Sequence, residues 1–212
     1  MTQRDIIVIG TSTGGVESLT RLTRALPAGL PAAVLVVVHF PTYGDNVLPA
    51  LLSQGAALPA ASACDGEAIR PGRVYVAQPD QHLLVESGGG RIRLWRGPRE
   101  NRARPAIDPL FRSAAETFGR RVIGILLAGT LDDGAAGLAA VKECGGVAIV
   151  QDPDEALFPE MPRGALRSVA VDHVLPVERI APLLARLTAP EPPEPEHEAL
   201  AGAFLLPCKE IQ

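Results

Sequence analysis

The chain contains 212 residues and carries a formal net charge of -4, with 47% hydrophobic and 4% aromatic residues. This length suits one globular domain, with or without a tail, and is sufficient to bury a sizeable core. The acidic balance and the scarcity of aromatic side chains argue against a protein that follows a phosphate backbone or stacks on single-stranded bases. No nucleic-acid partner is therefore expected.

The cysteines and the apolar runs predict the cellular compartment of the protein. Cys64, Cys144 and Cys208 are far apart and form no C-x-x-C pair, so they predict neither a disulfide framework nor a zinc site and favour a reducing cytoplasm. The first residues lack the basic and apolar segments of a signal peptide. The longest apolar run, residues 32–38, is far shorter than the ~20 residues that cross a bilayer, so no membrane insertion is expected.

The beginning of the chain predicts a βαβ unit. Residues 6–9 form an apolar run without polar alternation, the pattern of a strand buried on both faces of a parallel sheet. After a glycine-rich turn, apolar residues recur at helical spacing from Val16 until Pro27. Residues 32–38 then repeat the buried-strand pattern and end at His39.

The later elements predict a mostly parallel sheet with one antiparallel excursion. Three short runs separated by turn residues predict β-hairpins, at residues 74–77, 82–86 and 91–95, with a glycine turn at residues 88–90. Further strands are expected at residues 122–128, 147–151 and 169–175. Further helices are expected at residues 47–54, 108–118, 134–143 and 177–187.

The composition changes near the end of the chain. We expect one domain over residues 1–188 and a Pro/Glu-rich linker and tail over residues 189–212. Alternating proline and glutamate at residues 190–196 stay solvated and do not pack into a core. The apolar residues 203–206 are candidates for docking on the domain or on a partner.

Residues 10–14 read Gly-Thr-Ser-Thr-Gly and match G-x-S-x-G between a predicted strand and a predicted helix. The glycines allow a sharp turn that exposes the Ser12 hydroxyl, and the first N–H groups of the helix can stabilise an oxyanion. A turn that only packs helix on strand, or a phosphate-binding loop, would use the same pattern. A dinucleotide or Walker loop is disfavoured, because Ser12 replaces the second glycine and no G-K-[ST] follows.

A nucleophilic serine needs a base, and the chain has four histidines. His39 ends a buried strand, so in a parallel sheet it emerges at the same carboxyl edge as Ser12, where ligands bind. A histidine that only caps the strand is the alternative. His173 ranks second, whereas His82 and His197 are expected to be structural or solvated.

A carboxylate that orients the imidazole is expected at the end of the third buried strand. Asp132 and Asp133 follow residues 122–128, at the start of a predicted helix. Either carboxylate could instead cap that helix. Asn101 and Arg104 precede another predicted helix and are candidates for substrate contact, with a solvated loop as the alternative.

Together these residues resemble the chemotaxis receptor methylesterases, the protein-glutamate methylesterases of the CheB type. The resemblance covers about residues 5–188 and rests on residues 7–15, 38–41, 65–66, 71–77, 80–82, 97–98, 129–137 and 161–163, with Asn101, Arg104, Pro105 and Asp108. It implies a doubly wound α/β fold, in which helices flank a mostly parallel sheet with an antiparallel hairpin excursion. Motif by motif, it implies a catalytic triad of Ser12, His39 and Asp133.

The resemblance also implies a reaction and partners. Members of the family hydrolyse glutamyl γ-methyl esters on the cytoplasmic domain of chemoreceptors, often with deamidation of glutamines, and require no metal or organic cofactor. Backbone N–H groups near Thr13 and Thr130 are the oxyanion donors to expect. The methylated chemoreceptor is the expected partner, in the cytoplasm. Well-known members also carry a regulatory receiver domain, so a separate receiver domain is a further candidate partner.

Two departures from the family pattern bear on the predicted site. Where the family usually reads close to G-M-G-N-D-G, residues 129–134 read Gly-Thr-Leu-Asp-Asp-Gly. Leu131 replaces a glycine and can alter the local backbone. Asp132 adds a negative charge next to the predicted triad.

Three other functions stay open on the sequence alone. An α/β-hydrolase would use Ser12, Asp133 and His173, although that fold places several strands before its nucleophile. A catalytically silent module of the same fold would bind a receptor helix or a small anion at a helix N-terminus. An esterase acting on another substrate would use the predicted triad.

Overall fold

The structure is a computed structural model that describes residues 3–39, 46–88 and 90–190. Its strands are β1 (Ile6–Thr11), β2 (Ala33–Val38), β3 (Ala60–Ser62), β4 (Arg73–Val76), β5 (His82–Val85), β6 (Ile92–Trp95), β7 (Val122–Leu126), β8 (Val147–Gln151) and β9 (His173–Leu175). Its helices are α1 (Gly15–Ala25), α2 (Leu48–Ser53), α3 (Ile107–Phe118), α4 (Ala135–Glu143), α5 (Glu160–Ser168) and α6 (Val177–Thr188). A 3-10 turn, Gly119–Arg121, precedes β7.

Seven strands form one sheet in the order β3-β4-β2-β1-β7-β8-β9. Every neighbouring pair in this sheet is parallel. The chain starts at the central strand β1, winds through β2 towards one edge, and then returns to β7 and winds towards the other edge. The predicted doubly wound α/β fold is therefore confirmed, and the winding direction reverses at β1, where such folds bind ligands.

Helices cover both faces of the sheet, which explains why the central strands lack polar alternation. All six residues of β1 and all six of β2 are buried. Ile7 and Ile9 join the hydrophobic cluster beneath α1, α2 and α6. Val8 joins the cluster on the other face, beneath α3, α4 and α5. Alternate residues of one strand thus fill two separate cores.

The structure corrects the prediction of a hairpin strand at residues 74–77. These residues belong to β4, which pairs in parallel with β2 and β3 inside the large sheet. The turn residues that follow suggested a hairpin, but the buried run Val74–Val76 packs as an internal strand. The antiparallel excursion consists of β5 and β6, in register from His82 opposite Trp95 to Val85 opposite Ile92.

Two further elements were not predicted. Strand β3 has three residues at the sheet edge, too few for a pattern to indicate it. Helix α5 follows Pro159 and contains Pro162 in its first turn. Proline is tolerated there because the first N–H groups of a helix have no partner within the helix. The strand expected at residues 169–175 is correspondingly shorter, since β9 begins at His173.

Several predictions concern residues outside the described part of the chain. These are the tail from residue 191 onward with the docking of residues 203–206, His197, Gly89 of the predicted turn, and Phe40 and Pro41 of the family motif. The boundary between residues 188 and 189 stays a prediction. Within the described ranges, all helices are too short or too polar to span a bilayer.

Candidate active site

Three polar side chains lie at neighbouring strand ends. Ser12 directly follows β1, which ends at Thr11. His39 directly follows β2, which ends at Val38. Asp133 lies in the connection between β7 and α4. Because β1 lies between β2 and β7, the three connections meet at the carboxyl edge of the sheet.

The imidazole of His39 links the other two side chains. Ser12 Oγ lies 3.1 Å from His39 Nδ1, and His39 Nε2 lies 2.7 Å from Asp133 Oδ2. When Nε2–H donates to Asp133, the lone pair on Nδ1 can accept the proton of the Ser12 hydroxyl. Serine proteases use the two ring nitrogens in the opposite sense, with Nε2 facing the serine, and the proton transfer is equivalent. The structure thus brings together the three residues that the sequence singled out.

The turn at Ser12 is held by the segment that follows β7. The Ser12 N–H donates to the Ala128 carbonyl oxygen at 3.1 Å, and the Thr11 hydroxyl donates to the same oxygen at 2.7 Å. A Cβ at Gly129 would lie only 2.8 Å from Ser12 Cβ. Gly14 adopts a left-handed φ of 76° and α1 begins directly after it, so Ser12 lies against a helix N-terminus that favours negative charge.

Asp133 is buried and accepts four hydrogen bonds. Besides His39, Oδ2 accepts the Ile107 N–H at 2.7 Å, while Oδ1 accepts the Asn101 amide at 2.7 Å and the Asp108 N–H at 3.2 Å. Burial alone would raise the pKa of Asp133. The hydrogen bonds from His39, Ile107 and Asn101 outweigh burial and hold the pKa below its usual value. The carboxylate therefore stays ionised opposite the imidazole.

A second buried carboxylate, Asp108, lies behind the first. Its Oδ1 accepts the N–H groups of Gly134 and Gly137 at 3.0 and 2.6 Å, and its Oδ2 accepts the Asn101 amide at 2.8 Å. Burial raises the pKa of Asp108, and the nearby charge of Asp133 raises it further. The single amide nitrogen of Asn101 thus donates to two carboxylates. These bonds connect the starts of α3 and α4 and fix the position of Asp133.

A groove of about 270 Å³ opens beside Ser12 and His39. Thr13 and Leu131 line it, and the loop at residues 99–105 supplies the remaining lining residues. A substrate carbonyl in this groove would meet the Ser12 hydroxyl and the N-terminus of α1 together. The groove is therefore the candidate substrate-binding groove.

The remaining predicted site residues occupy different positions around this groove. Thr13 lines the groove, whereas Thr130 is half-buried just after the segment that contacts Ser12. Arg104 also lines the groove, but its guanidinium donates to the Asp80 carboxylate at 2.5 and 2.9 Å and to the Gly97 carbonyl at 2.6 Å. Arg104 and Asn101 therefore both have internal partners. Their contact with substrate, like the oxyanion roles of Thr13 and Thr130, stays a prediction.

The other described histidines lie elsewhere. His82 is buried, with Nδ1 accepting the Ala106 N–H at 3.2 Å and Nε2 2.9 Å from the Pro98 carbonyl oxygen. It has the structural role that was expected. His173 begins β9, which β7 and β8 separate from β1. The structure therefore does not bring His173 to Ser12, and the Ser-Asp-His alternative loses its base.

The two departures from the family pattern point into different grooves. Leu131 has a φ of 66°, and its side chain, 58% exposed, lines the groove beside Ser12. A non-glycine residue in this region carries strain of roughly 1 kcal/mol or more. Asp132 instead lines a second groove, together with Gly164 and Arg167 of α5.

Sequence reasoning missed two residues that hold the site. Asp108 is among the residues that carry the family resemblance, but the sequence assigned it no role, because that role follows from the packing of α3 against α4. Gln151 ends β8, where its Oε1 accepts the Ala128 N–H at 2.9 Å and its Nε2 donates to Ser18 Oγ at 3.2 Å. Gln151 thus supports the segment that contacts Ser12. A polar residue that ends an apolar run is the signal that identified His39, and it would have identified Gln151 too.

Serine, histidine and aspartate in hydrogen-bonded series, at the carboxyl edge of a doubly wound sheet, form the geometry that serine hydrolases use. Comparison with known proteins specifies the family. The model of the CheB methylesterase family matches residues 7–184, and the chain belongs to this family.

Similar proteins carry names that agree with this membership. Protein-glutamate methylesterase/protein-glutamine glutaminase 5 of Anaeromyxobacter dehalogenans is 40% identical over 188 residues, which are 88% of this chain and 52% of that protein. A putative protein-glutamate methylesterase/protein-glutamine glutaminase of Leptospira interrogans is 38% identical over 183 residues, 86% of this chain and 94% of that protein. The chain thus spans about half of the first relative and nearly all of the second.

A solved structure matches the fold. The catalytic domain of the Thermotoga maritima CheB methylesterase superposes with a TM-score of 0.84 at 34% sequence identity. The match covers 88% of this chain and 100% of that domain. The family assignment therefore holds for the fold as well as for the sequence.

Proposed function

We propose that this protein is a protein-glutamate methylesterase that acts in the cytoplasm on glutamyl γ-methyl esters of chemoreceptors. The observation that carries the proposal is the imidazole bridge, in which His39 lies 3.1 Å from the Ser12 hydroxyl and 2.7 Å from the Asp133 carboxylate. The names of the relatives in Anaeromyxobacter and Leptospira support the choice of substrate.

In the first half of the reaction, Ser12 Oγ attacks the ester carbonyl carbon and His39 Nδ1 accepts the hydroxyl proton. The carbonyl oxygen becomes an oxyanion, which backbone N–H groups near Thr13 and Thr130 would stabilise. One such donor is worth about 3 kcal/mol of the barrier when it is correctly aimed. The intermediate then breaks its bond to methoxide, which takes the proton from His39 and leaves as methanol.

In the second half, water attacks the acyl-enzyme and gives its proton to His39. The bond between Ser12 Oγ and the acyl carbon breaks, the serine regains the proton from His39, and the glutamyl carboxylic acid that is released loses its own proton to solvent. Asp133 stabilises the imidazolium in both halves, because its pKa lies below the usual value and its charge persists. No step in this sequence requires an oxidant, a reductant or a further reactant.

The same residues can hydrolyse a glutaminyl side-chain amide. Ammonia replaces methanol as the leaving group, and His39 protonates it in the same position. The relatives' names combine protein-glutamate methylesterase with protein-glutamine glutaminase. We therefore include deamidation of receptor glutamines in the proposal.

Regulation and partners follow as further parts of the proposal. The methylated cytoplasmic domain of a chemoreceptor is the proposed partner. Since this chain spans 52% of the first relative, a receiver domain that acts on the same site remains a candidate regulator.

The test is methanol release from chemoreceptor membranes that carry radioactive methyl esters. The unaltered chain is compared with Ser12→Ala, and Ser87→Ala removes an exposed hydroxyl of the β5–β6 hairpin region as the matched control. We expect release by the unaltered chain and by the control, and none above background with Ser12→Ala. Equal release by all three chains would overturn the proposal.

A second measurement distinguishes an inactive site from an unsuitable receptor. A serine-directed fluorophosphonate should label the unaltered chain at Ser12 and leave Ser12→Ala unlabelled. Labelling without methanol release would indicate an esterase for another substrate. Absence of both labelling and release would favour a catalytically silent module.

A further inference from the structure

The segment at residues 91–104 concentrates positive charge in an otherwise acidic protein. It contains six of the chain's 20 lysines and arginines and a single acidic residue, although the formal net charge of the chain is -4. The acidic residue, Glu100, is already paired, because both its carboxylate oxygens accept from Arg112. The segment therefore has little internal compensation for its arginines.

One carboxylate outside the segment serves three of these arginines. Asp80 forms ion pairs with Arg96 and Arg104, and Arg99 Nη2 lies 3.9 Å from its Oδ1. Arg102 adds a further cation in the same loop and is exposed. Three arginines thus share one carboxylate, and Arg102 is a fourth cation beside them. Arg96 and Arg99 keep 72% and 47% of their side chains exposed, so their charge faces solvent.

This basic surface, defined as Arg96, Arg99, Arg102 and Arg104, adjoins the groove of Ser12 and His39. Three of its four members line that groove. The side chains of a bound substrate on either side of the reacting ester would therefore pass within reach of its guanidinium groups.

Backbone strain is concentrated in the same place. The non-glycine residues with left-handed φ in the described ranges are Asp80, Asn101, Arg102 and Leu131, with values of 49–66°. Asn101 and Arg102 form the tip of a tight turn closed by two backbone hydrogen bonds between Glu100 and Ala103. Such strain persists only where surrounding contacts enforce it, and it is typical of ligand-binding segments. Arg102, with a φ of 65°, thus occupies a backbone position that suits glycine, and its side chain lines the groove.

We propose that the basic surface docks an acidic segment of the substrate protein, with carboxylates that flank the esterified glutamyl side chain. The inference rests on the proposed function and adds to it a preference for substrate sequences with acidic residues beside the reacting ester. Guanidinium groups pair with carboxylates through two parallel N–H bonds, so arginine suits this recognition. Because three of the arginines line the groove of Ser12, the ligand that fits best is the reacting protein itself and not a separate nucleic acid.

The test uses three peptides with one central glutamyl γ-methyl ester, flanked by aspartates, by asparagines or by lysines. Asparagine has the size of aspartate without its charge. We expect kcat/KM for the aspartate-flanked peptide to exceed that for the asparagine-flanked peptide about tenfold at low ionic strength, with the lysine-flanked peptide poorest. The ratio should fall as salt is added, because screening weakens exposed charge pairs.

The variant Arg99→Glu/Arg102→Glu should abolish or invert this ratio. The ratio compares two substrates of the same variant, so any general loss of turnover cancels. The matched control is Arg186→Glu, in the last turn of α6, where the Thr188 carbonyl accepts from Gln3 near the start of β1. This control reverses one charge far from the groove and should keep the preference of the unaltered chain.

Each outcome decides between the two proposals. Equal kcat/KM for all three peptides would overturn the docking surface and leave the methylesterase function intact. If no peptide ester is cleaved, methanol release from chemoreceptor membranes decides the proposed function, and docking is decided by fluorescence anisotropy with peptides that carry alanine at the centre. Tighter binding of the aspartate-flanked peptide, lost in Arg99→Glu/Arg102→Glu, supports docking. Equal binding of the peptides, or tighter binding of a single-stranded oligonucleotide of equal charge, overturns it.

Discussion

The two ends of the sheet both carry a concavity, and the larger one lies away from the catalytic chemistry. At the amino edge, a cavity of about 500 Å³ is lined by residues near the starts of β1 and β2 and by the end of α3. At the carboxyl edge, the groove beside Ser12 and His39 measures about 270 Å³. Volume alone would select the amino edge.

The chemistry of the two edges differs in the partners that their polar groups have. At the amino edge, Arg121 forms a two-pronged ion pair with Asp5 at 2.7 and 2.8 Å and lies over the Phe118 ring. The charges of Arg121 and Asp5 therefore neutralise each other. At the carboxyl edge, a buried carboxylate is paired with an imidazole whose other nitrogen faces a hydroxyl. The comparison teaches that a hydroxyl, an imidazole and a carboxylate in hydrogen-bonded series, and not cavity size, mark the candidate active site.

Removal of the Ser12 hydroxyl should give the largest difference in kcat between variants at the two edges of the sheet. We expect Ser12→Ala to lower kcat for methanol release roughly 10⁴-fold or more, because no nucleophile remains for acyl transfer. Thr117→Ala removes a hydroxyl from the amino-edge cavity and should leave kcat unchanged. A comparable loss in Thr117→Ala would mean that the amino edge contributes to turnover, and steady-state kinetics on both variants decides this.

Asp133→Asn should have the next largest effect. An amide cannot stabilise the imidazolium, and its NH₂ group would oppose one of the donors that surround Asp133, so we expect kcat to fall about 10³- to 10⁴-fold. Purified Asp133→Asn that still folds, as judged by circular dichroism, yet retains full kcat would remove Asp133 from the mechanism.

The same variant makes a prediction for stability against pH. The pKa of Asp133 in the folded protein lies below its usual value, so its carboxylate stabilises the fold above the unfolded pKa of about 3.9. This contribution disappears as the pH falls through the lower folded pKa. Urea unfolding from pH 7 to pH 3 should therefore show the difference between the unaltered chain and Asp133→Asn shrinking below about pH 4. A difference that widens in acid would contradict the assigned direction of the shift.

The three side chains of the proposed triad could be predicted from sequence because each has a local signal. Ser12 lies in a glycine-rich turn, His39 terminates an apolar run, and Asp133 follows a third such run. Parallel pairing then brings strand ends to one edge without further information. The sheet itself was predictable for the same reason, since the runs of β1, β2, β7 and β8 are apolar except for the polar residues that end β1 and β8.

The features that the sequence did not predict correctly depend on tertiary contacts that no local pattern encodes. Strand β4 looked like a hairpin strand because turn residues follow it, yet its pairing partner β2 lies far away in sequence. Helix α5 was hidden by Pro159 and Pro162. Asn101 was predicted as a substrate contact, but its hydrogen bonds to Asp133 and Asp108 exist only because α3 packs against α4.

A smaller but specific effect is expected at Asn101. Asn101→Gly removes the shared donor while keeping the left-handed φ of 49° accessible. We expect kcat to fall about tenfold, because Asp133 loses one of its anchors, with acid unfolding shifted to higher pH as the pKa of Asp133 rises. Asn101→Asp, of equal size, adds a third carboxylate and should be worse than Asn101→Gly. Wild-type kinetics and acid stability in Asn101→Asp would show that the shared donor is unimportant.

Substitutions of Leu131 separate the effect of its strained backbone on stability from the effect of its side chain on substrate binding. Leu131→Gly relieves the left-handed φ of 66°, and we expect it to raise the free energy of unfolding by about 0.5–1 kcal/mol. Because both variants remove an apolar side chain from the groove, Leu131→Gly and Leu131→Ala should raise KM about threefold at constant kcat. Leu131→Ala keeps the strain, so only the glycine variant should be stabilised in urea unfolding. Equal stability of the two variants would show that the backbone there is unstrained.

The smallest effect is expected at the amino edge, where Arg121→Ala should change stability and not turnover. The Arg121 side chain is 39% exposed and that of Asp5 24% exposed, so solvent screens the pair and its loss should cost about 0.5–1 kcal/mol of unfolding free energy. A double-mutant cycle with Asp5→Ala isolates the coupling from the packing of Arg121 on Phe118. Since Asp5 directly precedes β1 and Arg121 directly precedes β7, the ion pair lies at the edge of the sheet opposite Ser12 and His39, and kcat should stay unchanged. A fall in kcat without a matching loss of stability would show that the two edges communicate through these strands.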